Sequence, residues 1–227
     1  RDKLVTGVQT CALPISGKKT GIMDVDIHGP SVAKMLNLEG EGLSQTPTGY
    51  LAPVKVRDNF YAASIAFLLE NESAPVIWRG PMKSNFINQM FDSFAWPELD
   101  YLVIDCPPGS SCTVMESIRD ADYCVLVAEP TIFSVHNLEM VYELVTLFGK
   151  PNGVVLNKCL EKVNPAEEYC SKMGIKVLSQ IPFDEKLGLI NSNASIAVRE
   201  SKQYKELFSG LLETISQEVL HEAASHS

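Results

Sequence analysis

Five short apolar runs recur along the chain: TGIMDV at 20–25, YLVIDC at 101–106, YCVLVAE at 123–129, GVVLN at 153–157 and IKVLSQI at 175–181. Runs of this length with little polar alternation suit strands buried on both faces of a parallel sheet. Longer amphipathic stretches separate them and predict helices over about 80–95, 111–121, 134–148, 164–173 and 200–222. Pro165 is placed to start the fourth of these helices and Gly174 to end it. Such alternation predicts an α/β fold with a doubly wound, mainly parallel sheet. Between 40 and 75 the rhythm breaks, with Gly40, Gly42, Pro47, Gly49 and Pro53 punctuating the extended runs LAPVKV and FYAASIAFLL, a hairpin-like excursion. No internal repeat, low-complexity tract or linker divides the chain, so residues 17–227 are expected to form one domain.

Composition narrows the function classes. The 227 residues carry a formal net charge of −9, which gives no general field for nucleic acid or an anionic membrane. No run of eighteen apolar residues suits a membrane span, and no apolar core followed by a cleavage site marks a secretory signal, so a cytoplasmic location is expected. The six cysteines, Cys11, Cys106, Cys112, Cys124, Cys159 and Cys170, include no CxxC pair. They read as small buried apolar residues of a reduced protein.

Three strings carry chemistry. In YLVIDCPPGSSC an apolar run ends in Asp105, placing a carboxylate at the C-terminal tip of a buried strand, the edge where open α/β sheets bind ligands. There it can hold magnesium through water, while Gly109 lets a backbone N–H approach a terminal phosphate. The same string also reads as a strand end followed by a helix that Ser110 or Ser111 caps. In GIMDVDIHGPS, Asp24 and Asp26 share one side of an extended chain and could orient water and a metal, or serve as turn-forming acids ahead of His28-Gly29-Pro30. His28 is assigned no role. In VVLNK, Asn157 and Lys158 follow a strand, where an amide can pair with a purine edge and a lysine stem can cover the ring. IPFDE puts a turn and Asp184 after the next strand.

Taken in order, MDVDIHGPSVAKML, VIWRGPMKSNFINQMF, YLVIDCPPGSS and VVLNK resemble the Mrp family of ATP-binding iron–sulfur cluster carriers, in the larger P-loop NTPase group that contains MinD and ParA. The resemblance runs from about Gly17 to residue 200. It implies a homodimer sandwiching nucleotide, ATP with Mg2+ as cofactors, and a cluster passed to iron–sulfur apoproteins. Matched by motif, Asp24 and Asp26 are the catalytic switch acids, Asp105 the Walker B metal ligand and Gly109 the switch glycine. Asn157 contacts adenine, with Pro182, Phe183 and Asp184 beside the base. A MinD- or ParA-like regulatory ATPase and a nucleotide-free interaction module are the alternatives.

The chain departs from that family in two places. The CPxC cluster motif is absent, and the nearest cysteines, Cys159 and Cys170, are eleven residues apart. On one continuous helix they would sit roughly 16 Å apart, too far for one cluster within one chain. The second departure precedes GKK, where the family carries a strand, a KGGVGKS/T-like loop and a helix, about thirty residues for such a unit; sixteen precede Gly17 here. Val5 to Ile15, VTGVQTCALPI, resembles one reading frame of a widely used sequencing-library adapter. Residues 1–16 are therefore expected to be non-native, the first strand and P-loop missing, and ATP binding defective.

Overall fold

The computed structural model describes residues 2–5, 17–68, 80–160, 164–193, 195 and 197–225. The chain begins with β1 (Asp2–Val5), β2 (Thr20–Asp24) and the short helix α1 (Val32–Met35). A small hairpin, β3 (Ser44–Gln45) and β4 (Leu51–Ala52), leads into β5 (Val54–Arg57), β6 (Phe60–Ser64) and a 3-10 turn at Ile65–Leu68. Then follow α2 (Gly80–Ser93), β7 (Tyr101–Asp105), α3 (Cys112–Arg119), β8 (Tyr123–Ala128), α4 (Ile132–Leu147), β9 (Asn152–Cys159), α5 (Pro165–Met173) and β10 (Val177–Pro182). The chain closes with α6 (Glu185–Ser192), α7 (Ala197–Glu200) and α8 (Lys202–Ser225).

Eight strands form the main sheet in the order β10–β9–β8–β1–β7–β2–β6–β5. All neighbours are parallel except β5, which runs antiparallel to β6 at the edge. Every residue of β2 is buried, as a strand covered on both faces requires. Along β8 the side chains alternate between two cores: Cys124, Leu126 and Ala128 pack under α2 to α5, while Tyr123 and Val125 meet Tyr204, Phe208, Leu211 and Ile215 of α8. Asn164 caps α5, its Oδ1 accepting from Ala166 N and Glu167 N, Pro165 opens the helix, and Gly174 ends it in the left-handed region at φ 66°.

Three expectations need correction. The first strand is present: Asp2–Val5 lies between β7 and β8 with Leu4 opposite both Val103 and Tyr123. A strand here satisfies the backbone N–H and C=O groups that β7 and β8 would otherwise expose inside the sheet. The stretch expected to lack a P-loop, residues 6–16, lies outside the described residues. Nor does one helix join Cys159 to Cys170, since Cys159 ends β9 and α5 starts only at Pro165. Part of the excursion at 40–75 also belongs to the main sheet, for β6 pairs with β2 along its whole length.

Candidate functional site

The tips of β2 and β7 are neighbours, with Asp24 in register opposite Asp105, and Val25 N donating to the Asp105 carbonyl at 3.0 Å. Two carboxylates 81 positions apart in sequence thus meet at the C-terminal edge of the sheet, and Asp26 follows one turn beyond. They are not equivalent. Asp24 is fully buried, and its Oδ2 accepts from Ser31 N at 3.0 Å, Val32 N at 3.1 Å and Ser64 Oγ at 3.1 Å. Its Oδ1 accepts from Asp26 N at 3.1 Å. Asp24 therefore ties the start of α1 and the tip of β6 to β2. Asp26 is half-buried and shapes the following turn, its Oδ1 accepting from His28 N at 3.0 Å and Gly29 N at 3.2 Å.

No described residue donates a hydrogen bond to the Asp105 carboxylate. Burial, then the negative charges of Asp24 and Asp26, push its pKa up from 3.8 to about 7. Burial also raises Asp24, against the lowering effect of its hydrogen bonds. Among the described residues, no lysine or arginine forms an ion pair with any of the three. The edge gathers three carboxylates with no cationic partner among the described residues.

Beyond Asp105, the loop turns at Gly109, whose φ of 81° belongs to the left-handed region that glycine adopts at little cost. Ser111 sits at the N-cap of α3, yet its side chain makes no capping hydrogen bond. The hydroxyl-cap reading of Ser110 or Ser111 thus finds no support at Ser111.

Asn157 and Pro182 to Asp184 lie at the same edge on adjacent strands β9 and β10. Asn157 Oδ1 accepts from Lys158 N at 3.0 Å, and Lys158 takes a φ of 56°, uncommon outside glycine. Its ammonium pairs with Glu129 Oε1 at 2.6 Å, joining the tips of β8 and β9. Phe183 N donates to the Cys159 carbonyl at 2.8 Å, leaving the ring exposed. Asp184 starts α6 by accepting from Lys186 N and Leu187 N on Oδ1, while Oδ2 accepts from Tyr204 Oη at 2.7 Å. That hydrogen bond from Tyr204 leads the causes that lower the Asp184 pKa, and it pushes Tyr204 up to about 12. Three strand spacings, roughly 14 Å, separate β9 from β7. The predicted residues therefore form two groups along one edge, a carboxylate group and a turn group.

Ser31, Ser64, Glu129 and Tyr204 hold these groups in place. Tyr204 lies 20 positions from Asp184 and Ser64 lies 40 from Asp24, with no local pattern to join them. Cys159 and Cys170 are buried, and burial raises both thiols. Among the described residues, no group of three or more His, Cys, Asp or Glu side chains is arranged to hold a metal ion by itself.

The family described as ParA: NUBPL iron-transfer P-loop NTPase matches residues 3–219. The chain belongs to this family. An iron-sulfur cluster carrier protein of Methanocaldococcus jannaschii is 32% identical, over 93% of this chain and 79% of the relative. A cytosolic Fe-S cluster assembly factor NUBP2 homolog of Culex quinquefasciatus is 36% identical, over 82% of this chain and 79% of the relative. Two solved structures share the fold. A nucleotide-binding protein of Archaeoglobus fulgidus in complex with ADP superposes with a TM-score of 0.69 at 22% identity, over 91% of each chain. The cell division ATPase MinD of Pyrococcus furiosus gives 0.69 at 19% identity, over 95% of this chain and 98% of that one. The P-loop NTPase fold expected from DVDIHGPS and DCPPG is thereby established. Among the described residues, no helix is long and apolar enough to cross a membrane.

Proposed function

We propose that the chain is the framework of an ATP-binding and ATP-hydrolysing carrier for iron–sulfur cluster assembly, acting as a homodimer in the cytosol. The observation that carries this reading is the unpaired Asp105 carboxylate at the tip of β7, in register with Asp24 and followed by the Gly109 turn. A carboxylate oxygen is a hard ligand, and the acidic edge suits a hydrated magnesium ion bound through one or two carboxylates and substrate phosphates. Asp105 would hold that ion, which supplies positive charge to the phosphates of ATP. Asp26 is the half-buried acid placed to orient a water, and Asp24 positions Asp26 through the hydrogen bond from Asp26 N. Gly109 offers a backbone N–H to the terminal phosphate. Asn157 faces the base, with Pro182, Phe183 and Asp184 beside it. The named functions of the relatives support the cluster as cargo and iron–sulfur apoproteins as recipients.

The adapter-like stretch Val5 to Ile15 completes the proposal as a non-native segment. Between β1 and β2 stands TGVQTCALPISGKK, with no Gly-x4-Gly-Lys-Ser/Thr to cradle phosphates. Such a loop supplies much of the charge complementarity to a triphosphate. The chain as it stands binds MgATP weakly. The MinD-like alternative with a membrane-binding tail is disfavoured, because Tyr204, Phe208, Leu211 and Ile215 of α8 are committed to the core.

Titration with a fluorescent ATP analogue and magnesium tests this reading on two proteins: the present chain, and the parent gene product read from its resequenced 5′ end. Weak binding by the first and tight binding with hydrolysis by the second are expected, with hydrolysis lost in Asp105→Ala of the parent. Tight binding by the present chain would refute the defect. Unchanged hydrolysis in the variant would remove Asp105 from the site.

A further inference from the structure

Helix α4 carries two charged residues, Glu139 and Glu143, in its sixteen positions, yet only Leu138 and Val145 are fully buried along it. Beneath it lies a cavity of about 360 Å³, closed by β8 below, by α3 at the side and by the loop Pro107–Gly109 at its lip. The floor is Cys124 and Leu126 of β8, and Val145 of α4 lies above it, all buried. Val114 and Ile118 of α3 face Leu138 and Val141 of α4 across it. Ser134 and Asn137, toward the N-terminal end of α4, are its polar side chains apart from the cysteines.

We infer that this cavity is a binding site for a neutral, largely apolar small molecule of about two fused rings, bordering the nucleotide edge at Gly109. Size and wall chemistry both support the assignment. An apolar cavity of about 150 Å³ accommodates benzene, and small-molecule sites begin near 300 Å³. None of the lining residues is charged, so an ion entering would lose water without gaining a counter-charge. The Cys124 thiol, pushed up to about 12 by burial, stays neutral as well. Asn137 lines the cavity but is exposed to solvent, while Ser134 Oγ accepts from Glu129 N at 2.8 Å. A polar group on the ligand would therefore lie toward the solvent-exposed Asn137. The lip directly follows Asp105, so an occupant bears on the loop that carries Gly109.

The test is a fluorescence titration of the full chain with N-phenyl-1-naphthylamine, a neutral two-ring probe. One saturable site with enhanced, blue-shifted emission is expected. Val141→Trp and, from the opposite wall, Val114→Phe each fill the cavity and should weaken binding at least tenfold. Phe133→Ser, which removes an exposed ring outside the cavity, should leave binding unchanged. Circular dichroism verifies that each variant folds. Hydrogen exchange on the unsubstituted chain gives a readout free of any variant: the probe should protect residues 106–110 and 134–141. Non-saturable uptake, binding indifferent to a folded filler, loss of binding in Phe133→Ser, or protection elsewhere would each overturn the assignment.

Discussion

Replacing Asp105 with Asn should make the protein more stable at neutral pH while removing its proposed metal ligand. The carboxyl has a pKa of about 7 in the fold against 3.8 in its absence. Between those values the folded state holds a proton that the unfolded chain has released. The sign follows from linkage: stability is lost as pH rises from about 4 through 7, since the native state binds more protons in that window. The full shift, about three pKa units at 1.36 kcal/mol each, corresponds to about 4 kcal/mol. Water reaching the half-buried group screens part of this, and the rest is shared with Asp24 and Asp26, which leaves about 1–3 kcal/mol. Asparagine keeps the shape, removes the charge, and leaves the backbone bond from Val25 N intact. Urea unfolding of both proteins from pH 4.5 to 8, in chelator, gives the difference directly. The curves should lie close together at pH 4.5, where about a quarter of the effect has developed, and separate by about 1–3 kcal/mol in favour of the variant at pH 8. A variant equal to or less stable than the parent chain at pH 8 would refute the account of an uncompensated carboxylate.

Asp24→Ala leaves the N–H groups of Ser31 and Val32 and the Ser64 hydroxyl without their acceptor; a loss of about 2–4 kcal/mol is expected in urea unfolding at pH 7, and a loss below about 1 would contradict the positioning role. Gly153→Ala places a methyl 2.6 Å from Leu178 Cγ, so the variant should lose about 1–3 kcal/mol in thermal or chemical unfolding. Asn164→Ala removes the cap of α5 and should cost about 1 kcal/mol by the same measurement. In a Cys11→Ser background, thiol titration should find Cys112 fast, and Cys124, Cys159 and Cys170 unreactive until denaturant is added, because only Cys112 of these four is exposed.

Much of the scaffold was legible because burial on both faces leaves a plain mark. β2, β7, β8 and β9 each fall on an apolar run, since a central parallel strand tolerates almost no polar side chain, and β10 at the sheet edge falls on a further one. Pro165 and Gly174 announced the ends of α5 by local backbone chemistry alone. The short elements were harder. Asp2–Val5 offers four residues, too few for a periodicity, and it is a strand because β7 and β8 leave a slot whose backbone groups need partners. Helix α6 begins in a turn whose N–H groups Asp184 accepts, a function that resembles loop chemistry in sequence.

The sequence by itself determined which residue types stand at strand ends: Asp24, Asp105, Asn157 and Asp184 each follow an apolar run, and strand polarity in a parallel sheet sends all four to one edge. What it could not determine is how the acids divide their work. Asp24 and Asp26 look alike two positions apart, and only the approach of Ser64 and the start of α1 buries one and leaves the other half-exposed. Asp105 becomes a high-pKa carboxylate only because β7 lies beside β2, which sets the negative charges of Asp24 and Asp26 next to a group with no donor of its own. Electrostatic energy and desolvation depend on distance and burial through the folded molecule, and neither quantity is written in the order of residues along the chain.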